Sequence, residues 1–423
     1  MPDKIKKISA LEILDSQGKP TVQATVELGN GLTATAAVPS GASTGQFEAC
    51  ELRDGDQARY HGQGVLQAVE NINGLLNREL KGLQATEQSK IDDLMIELDA
   101  TPNKNRLGAN AILAVSLAVA KAGALTAKLP LYEYLRHLYD PSEKKYKLPV
   151  PLVNVVNGGK HASTNLDIQE FWIVPHRAPT FGERLRQASE VFQSLGSLLS
   201  GLGLDTDLGN EGGYAPNFES HRQVLDLLQQ AVESSGLRLG EDILFGLDAG
   251  SSVFYNEAER IYKLNLDKRR LSTDEMIEYY VDLMEVYPVR FLEDPLAEED
   301  WGGWQRISSD HFVRANHIRL IGDDLFVTNK DRLAKGISLS VANTVLIKPN
   351  QIGTLTETLE TIKLAQANNY EIAVSHRSGE TTDTTIADLA IAVNAEYIKA
   401  GATSRGERIA KYNRLLNIEE QLK

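Results

Sequence analysis

Three carboxylates in the second part of this 423-residue chain stand where short apolar segments end. They are Asp248, Glu293 and Asp323, at the ends of segments 243–248, 289–293 and 318–323. If these segments are neighbouring parallel strands, the carboxylates converge and would repel one another unless a cation lay between them. An all-oxygen ligand set favours Mg²⁺, whereas zinc favours histidine or cysteine. A single strand-end acid usually caps the next helix, but three in successive units favour a metal site.

Two lysines, Lys348 and Lys399, end the later apolar segments 344–348 and 397–399. A lone lysine in such a place is usually a solvated surface charge. Beside three acids and the metal they hold, a nearby cation lowers the lysine pKa, and the neutral amine can act as a base. The other lysine can stay charged and bind a substrate carboxylate.

Three loops carry further polar groups. At 375–381 (SHRSGET), Arg377 and Ser378 follow His376, a composition that suits a phosphate group as well as an ordinary surface loop. His161 lies in the glycine-rich stretch 154–162, a poor place for a core histidine. Glu211 lies in the loop 210–216 and could act as a general acid, although most loop glutamates are surface residues.

Around these residues the sequence predicts a small N-terminal α+β domain at 1–140 and a β/α barrel domain at 141–423. Strands are predicted at 5–14, 21–28 and 32–38, and helices at 64–80, 89–98, 109–127 and 130–138. The polar, proline-containing segment 140–145 marks the boundary. Apolar segments then alternate with helical stretches at the spacing of βα units, which favours a closed TIM-like barrel with its chemistry at the strands' carboxyl ends.

Composition narrows the function further. A net charge of −14 argues against nucleic acid but not against an anionic substrate, because bound metal reverses the local charge. The single cysteine, Cys50, excludes an intrachain disulfide. The apolar stretch 109–127 is mostly alanine, which predicts a core helix rather than a membrane span. No apolar signal core follows the Lys-rich N-terminus, so we expect a cytoplasmic protein, with a secondary surface or secreted pool left open.

Eight strings spread along nearly the whole length of the chain form a family signature. They are PSGASTG at 39–45, LGANAILA at 107–114, NGGKHA at 157–162, DIQEF at 167–171, EGGYAP at 211–216, GDDLFVTN at 322–329, NQIG at 350–353 and SHRSGET at 375–381. With these strings the chain resembles the enolase family. The resemblance implies the fold predicted above, a phosphorylated carboxylate substrate, two Mg²⁺ per site with the second arriving with substrate, and a homodimer or higher homo-oligomer. The implied reaction is the reversible dehydration of 2-phospho-D-glycerate to phosphoenolpyruvate in glycolysis and gluconeogenesis.

The resemblance also implies a role for each matching residue. Asp248, Glu293 and Asp323 match the ligands of the first Mg²⁺, and Ser43 matches a ligand of the second. Lys348 matches the base that takes the C2 proton, and Glu211 the acid at the C3 hydroxyl, with Glu170 close by. Lys399 matches the residue that holds the substrate carboxylate. Arg377 and Ser378 match the phosphate contacts, with His376 beside them. His161 matches a histidine of a closing loop.

Several positions depart from the family pattern. Gln17 stands where the family has arginine, which weakens the transfer of a dimer. Asn210 replaces an acid before Glu211, so we expect a lower Glu211 pKa and a poorer general acid. Val253, Pro349 and Ala400 change the surroundings of the site. Two alternatives therefore stay open: an enzyme acting on another phosphorylated or phosphonylated carboxylic acid, and a binding protein on the same scaffold.

Overall fold

An antiparallel sheet begins the chain in this computed structural model, which describes residues 3–41 and 45–423. Its order is β1 (Ile5–Leu14), β2 (Pro20–Leu28) and β3 (Thr33–Ala37). Along β2, Val22, Ala24 and Val26 are buried while the intervening polar residues are partly exposed. This alternation is typical of a sheet that is covered on one face.

Helices cover the buried face of this sheet. They are α1 (Leu66–Asn71), α2 (Asn77–Leu80), α3 (Gln88–Asp99), α4 (Ala109–Ala127) and α5 (Leu131–Tyr139), with a π-helical turn at Ile72–Leu76 and a 3-10 turn at Tyr60–Gly62. The strands and helices predicted for this part are confirmed to within two residues at each end. The boundary at residue 140 directly follows α5 and stays a prediction.

Helix α4 is the core of the N-terminal part. Among the helices of the described residues, it alone is long and apolar enough to cross a membrane by length and composition. However, 83% of that stretch is buried inside the protein, where α4 packs against β2 and β3. It is therefore a core helix, as its alanine-rich sequence predicts.

A closed β/α barrel follows, which confirms the predicted fold class. Its strands in chain order are β4 (Val150–Asn157), β5 (Glu170–Pro175), β6 (Ile243–Asp248), β10 (Val289–Glu293), β11 (Arg319–Gly322), β12 (Thr344–Ile347), β13 (Glu371–Ser375) and β14 (Tyr397–Lys399). A small separate sheet contains β7 (Tyr255–Asn256), β8 (Ile261–Leu264) and β9 (Arg269–Leu271).

Helices lie between and around the barrel strands. They are α6 (Phe181–Gly201), α7 (His221–Ser234), α8 (Thr273–Val286), α9 (Trp301–Ser309), α10 (His311–Ala315), α11 (Lys330–Leu339), α12 (Pro349–Ile352), α13 (Leu355–Ala367), α14 (Thr385–Ala392) and α15 (Gly406–Gln421), with 3-10 turns at Gly159–His161 and Ser251–Val253. The barrel strands are almost wholly buried, which explains why their sequences are continuously apolar rather than alternating.

One barrel strand runs against the others. Strand β5 pairs antiparallel with both β4 and β6, and Glu170 at its first position lies opposite Asp248 at the last position of β6. The start of β5 therefore lies at the same edge of the barrel as the ends of the parallel strands. The repeated βα pattern did not predict this reversal, because an apolar sequence carries no information on strand direction.

The N-terminal part caps a barrel helix. The first turn of α13 leaves backbone N–H groups without partners inside the helix. Leu355 N–H donates to Ser116 Oγ on α4 (3.0 Å), and Thr356 N–H donates to Asp92 Oδ2 on α3 (3.0 Å). Burial raises the pKa of Asp92 to about 6, against the opposing effect of its hydrogen bond from Thr356. Side chains of one domain thus fix the end of a helix in the other.

Replacing Ser116 with alanine should destabilise the protein, because a buried N–H of α13 loses its acceptor. Loss of a helix cap costs about 0.5–2 kcal/mol, so we expect the midpoint of denaturant unfolding to fall. Ser338→Ala, on the exposed face of α11, is the matched control and should leave the midpoint unchanged. Equal midpoints for the two variants would contradict the capping role.

Candidate active site

Polar side chains gather in one cavity at the carboxyl ends of the parallel strands. The predicted residues that line it are His161, Glu170, Glu211, Asp248, Asp323, Lys348, His376, Arg377, Ser378 and Lys399. Glu293 is fully buried and contacts the lining residue Lys399. Ser43 lies outside the described residues. The structure thus brings the described members of the predicted site together.

Lys399 is the centre of this cavity. Its Nζ lies 3.0 Å from Asp248 Oδ2, 2.9 Å from Glu293 Oε1 and 3.2 Å from Glu170 Oε1. Burial alone would lower the lysine pKa, but the surrounding carboxylates raise it well above its usual value. Carboxylates from β5, β6 and β10 therefore favour the charged form of Lys399, and the ammonium group joins the ends of these strands.

Lys348 forms a direct ion pair with Asp323 Oδ2. Burial and the positive charges of Arg377 and Lys399 lower the pKa of Lys348. The negative charge of Asp323 raises it, and the net pKa lies above the usual lysine value. The raised pKa results from the ion pair with Asp323, which only the folded chain determines. The lowered pKa that the sequence predicts applies to a lysine beside a bound cation and stays a prediction.

Negative charge is in excess in this cavity. Burial and neighbouring carboxylates raise the pKa values of Glu293 and Asp294 well above normal, and that of Asp324 to about 7. Ligand atoms of Asp294, Asp323 and Asp324 lie within 4.8 Å of one another. A divalent cation would relieve this repulsion, and oxygen donors suit a hard cation. These residues therefore fit a divalent metal, although only Asp323 among them belongs to the predicted ligand set of Asp248, Glu293 and Asp323.

A second cluster joins His161, Glu170 and Glu211. His161 Nδ1 lies 3.2 Å from Glu170 Oε1 and 3.7 Å from Glu211 Oε1. Burial lowers the pKa of His161, but the two carboxylates raise it to a net value above normal. Burial and the charge of Glu211 raise the pKa of Glu170 to about 7. Trp172 Nε1 donates to Glu170 Oε2 (2.6 Å). This cluster can hold a shared proton near neutral pH.

Glu211 itself is ionised. Although burial raises its pKa, the charge of His161 and the hydrogen bond with His376 lower it well below the usual value. Asn154 Nδ2 donates to its Oε2 (3.1 Å). Ala402 N–H donates to the Glu211 carbonyl (3.0 Å), and a Cβ on Gly401 (φ +80°) would lie 2.6 Å from that oxygen. The two histidines cause this lowered pKa, and the effect of Asn210 on Glu211 stays a prediction.

Arg408, fully buried on α15, orders the loops around Glu211 and Arg377. Its Nη1 donates to His376 Nδ1 (2.6 Å), which leaves the histidine hydrogen on Nε2, 3.4 Å from Glu211 Oε2. Its Nη2 donates to the carbonyls of Ser378 (2.6 Å) and Asn210 (3.0 Å). Sequence analysis did not single out Arg408, because its partners lie 30 to 198 residues away.

Other lining residues also went unpredicted. They are Gln169, Gly250, Asp294, Asp324 and Ser375. Four of them directly neighbour a predicted site residue in the sequence, and Gly250 is two residues from Asp248. The strings around the predicted residues contained this signal, since residues adjacent to a strand end share the same barrel edge.

A β/α barrel with lysines and carboxylates at its strand ends, beside a small α+β domain, has groups suited to acid–base chemistry at the edge where barrel enzymes have their active sites. The family model described as the N-terminal domain of enolase matches residues 5–135, and that of the enolase C-terminal TIM barrel domain matches residues 145–423. The chain therefore belongs to the enolase family. Membership indicates a lyase-type enzyme with a divalent metal and a phosphorylated small-molecule substrate.

Asn210→Asp should raise the pKa of Glu211, because it adds a negative charge next to that carboxylate. The proton shared by the cluster of Glu211, Glu170 and His161 is lost as pH rises, and an added negative charge holds it to higher pH. The high-pH limb of the pH–rate profile should therefore move to higher pH. Asn210→Ala, which adds no charge, is the control. Coincident high-pH limbs for the two variants would show that residue 210 does not tune the acid.

Proposed function

We propose that this protein catalyses the reversible, Mg²⁺-dependent dehydration of 2-phospho-D-glycerate to phosphoenolpyruvate. The reaction would serve glycolysis and gluconeogenesis in the cytoplasm, with the chain acting as a homodimer or larger homo-oligomer. One observation carries the proposal: a single cavity contains Lys348, Glu211, Lys399 and Arg377. These residues supply a base, an acid and two cations for a substrate with two anionic groups.

The two cations set the orientation of the substrate. In the proposal, Lys399 at the end of β14 binds the carboxylate, while Arg377, Ser378 and His376 after β13 bind the phosphate. Strands β13 and β14 are neighbours, so the two anionic groups of a three-carbon substrate can be bound together. Two fixed cations also orient the C2–H and C3–OH bonds, which makes the reaction effectively intramolecular.

Lys348 is the proposed base that takes the C2 proton on Nζ. Lys348 directly follows β12. Glu211 is contacted by Asn154 on β4, and two strands, β13 and β14, separate β12 from β4 in the barrel. Base and acid thus approach the substrate from different sides. Asp323 keeps Lys348 protonated, whereas Arg377 and Lys399 favour the neutral amine. Any ligand that neutralises Asp323 therefore activates Lys348.

Asp248, Glu293 and Asp323 would hold the first Mg²⁺, and Ser43 would contribute to the second, which arrives with substrate. When bound, the metal would supply positive charge that stabilises the electron density developing on the substrate carboxylate. Lys399 adds a fixed positive charge to the same region, because its pKa is raised well above normal.

The acid half of the reaction uses Glu211, Glu170 and His161. Loss of the C3 hydroxyl as water needs one proton, delivered in the proposal by Glu211. Because Glu211 is ionised and Glu170 keeps a proton up to about pH 7, the proton reaches Glu211 from this buried cluster. The C2 proton on Lys348 and the proton given to the hydroxyl balance the equation.

Lys348→Ala should lose activity by about 10²–10⁴-fold, because general bases contribute rate factors of this size. The measurement is the absorbance of phosphoenolpyruvate formed from 2-phospho-D-glycerate with and without Mg²⁺. The variant should fold, and Mg²⁺ should still raise its Tm, because the acidic ligands remain. Lys330→Ala, in an exposed ion pair, is the control. A wild type without Mg²⁺-dependent product would reject the proposed function.

A further inference from the structure

A glutamate of the N-terminal domain reaches the proposed phosphate residue. Glu48 Oε2 lies 2.7 Å from Arg377 Nη1, and Glu48 Oε1 lies 3.2 Å from Arg377 Nη2. Both side chains are buried, with exposed fractions of 6% and 3%. Asn350 Oδ1 accepts a further hydrogen bond from Arg377 Nη1 (3.3 Å). This two-point contact fixes the plane of the guanidinium group.

The same glutamate also binds the backbone of its own segment. Glu48 Oε1 accepts from Gly45 N–H (2.9 Å). A Cβ on Gly45 would lie 3.0 Å from Val327 and 3.2 Å from Asp324 Oδ1, so this part of the N-terminal domain packs closely on the barrel. Glu48 therefore joins Gly45 to Arg377 through one carboxylate.

A second contact lies on the other side of residues 42–44. Ser40 N–H donates to the Gly379 carbonyl (2.7 Å), and Gly379 N–H donates to the Ser40 carbonyl (2.8 Å). The described residues that flank 42–44 are thus attached at both ends to the segment 377–379. This is the segment that the proposed function assigns to the phosphate group.

We propose that Glu48 is a positioning residue for phosphate binding, supplied to the barrel by the N-terminal domain. It holds the Arg377 guanidinium in the orientation that accepts the phosphate oxygens, and it ties that orientation to the adjoining segment at Gly45. The inference rests on the proposed function in that Arg377 is taken as a phosphate ligand. A guanidinium has five N–H donors in one plane, so a carboxylate and a phosphate can share it.

A purely structural role, that of holding the two domains together, predicts something different. Lys104 on the N-terminal side also forms an ion pair with the barrel, with Nζ 2.9 Å from Glu357 Oε1. This pair lies near α13 and not at the cavity, since Glu357 is in the first turn of that helix. If Glu48 only joined the domains, its loss should resemble the loss of Lys104.

The test is calorimetric titration of the Mg²⁺-loaded protein with two probes, inorganic phosphate and D-glycerate, which lacks the phosphate. Glu48→Gln keeps the shape of the side chain but removes one of the two oxygen atoms that accept hydrogen bonds from Arg377. We expect it to weaken phosphate binding by about tenfold or more, as removal of residues that orient ligands does. Binding of D-glycerate should stay unchanged, and Lys104→Met should change neither. Glu48→Asp, which is too short for both contacts, replaces Glu48→Gln if that variant does not fold.

Equal phosphate affinities of wild type and Glu48→Gln would overturn the inference. An equal loss of affinity for phosphate and for D-glycerate would also overturn it, because loosened packing between the domains would weaken the binding of both probes. The binding comparison requires no turnover. Failure of the wild type to form phosphoenolpyruvate therefore rejects the proposed function, and the ratio of phosphate affinities separately decides the role of Glu48.

Discussion

Buried like charge at the mouth of the barrel is the constraint on which the rest of the structure depends. Carboxylates from β5, β6 and β10 lie within 3.2 Å of one ammonium group, that of Lys399 on β14. Each buried carboxylate would cost several kcal/mol if it were left without a partner. The strands must therefore end at the same level around the barrel. The proposed substrate and metal sites both result from this arrangement, since they use the charges that the fold already has to balance.

The sequence predicts site residues at the ends of strands better than it predicts strand direction or contacts between distant residues. Strand-end residues such as Asp248 and Lys348 could be predicted, because an apolar segment with a polar end marks both the strand and its exit. Glu170 could be found only through a family string, because β5 runs antiparallel and its first residue reaches the site. The sign of the Lys348 pKa shift depends on its distance to Asp323, which no local pattern contains.

The site is not a property of the barrel alone. The N-terminal domain caps α13 through Ser116 and Asp92. The short helix α12 lies just before α13 in the chain and begins directly after Lys348. The N-terminal domain also supplies Glu48 to Arg377 across a sequence separation of 329 residues. Contacts of this range follow from the packing of two domains, so sequence patterns within either domain could not predict them. The family strings indicate that both domains belong to one enzyme, and the structure gives the contacts that join them.

In the proposed reaction Lys348 and Glu211 act separately, Lys348 on the C2 proton and Glu211 on the C3 hydroxyl. Exchange of the C2 proton of 2-phospho-D-glycerate in D₂O, followed by NMR with Mg²⁺ present, tests this directly. We predict that Glu211→Gln exchanges the C2 proton without forming phosphoenolpyruvate, and that Lys348→Ala does neither. Exchange by Lys348→Ala at the rate of the wild type would contradict the account.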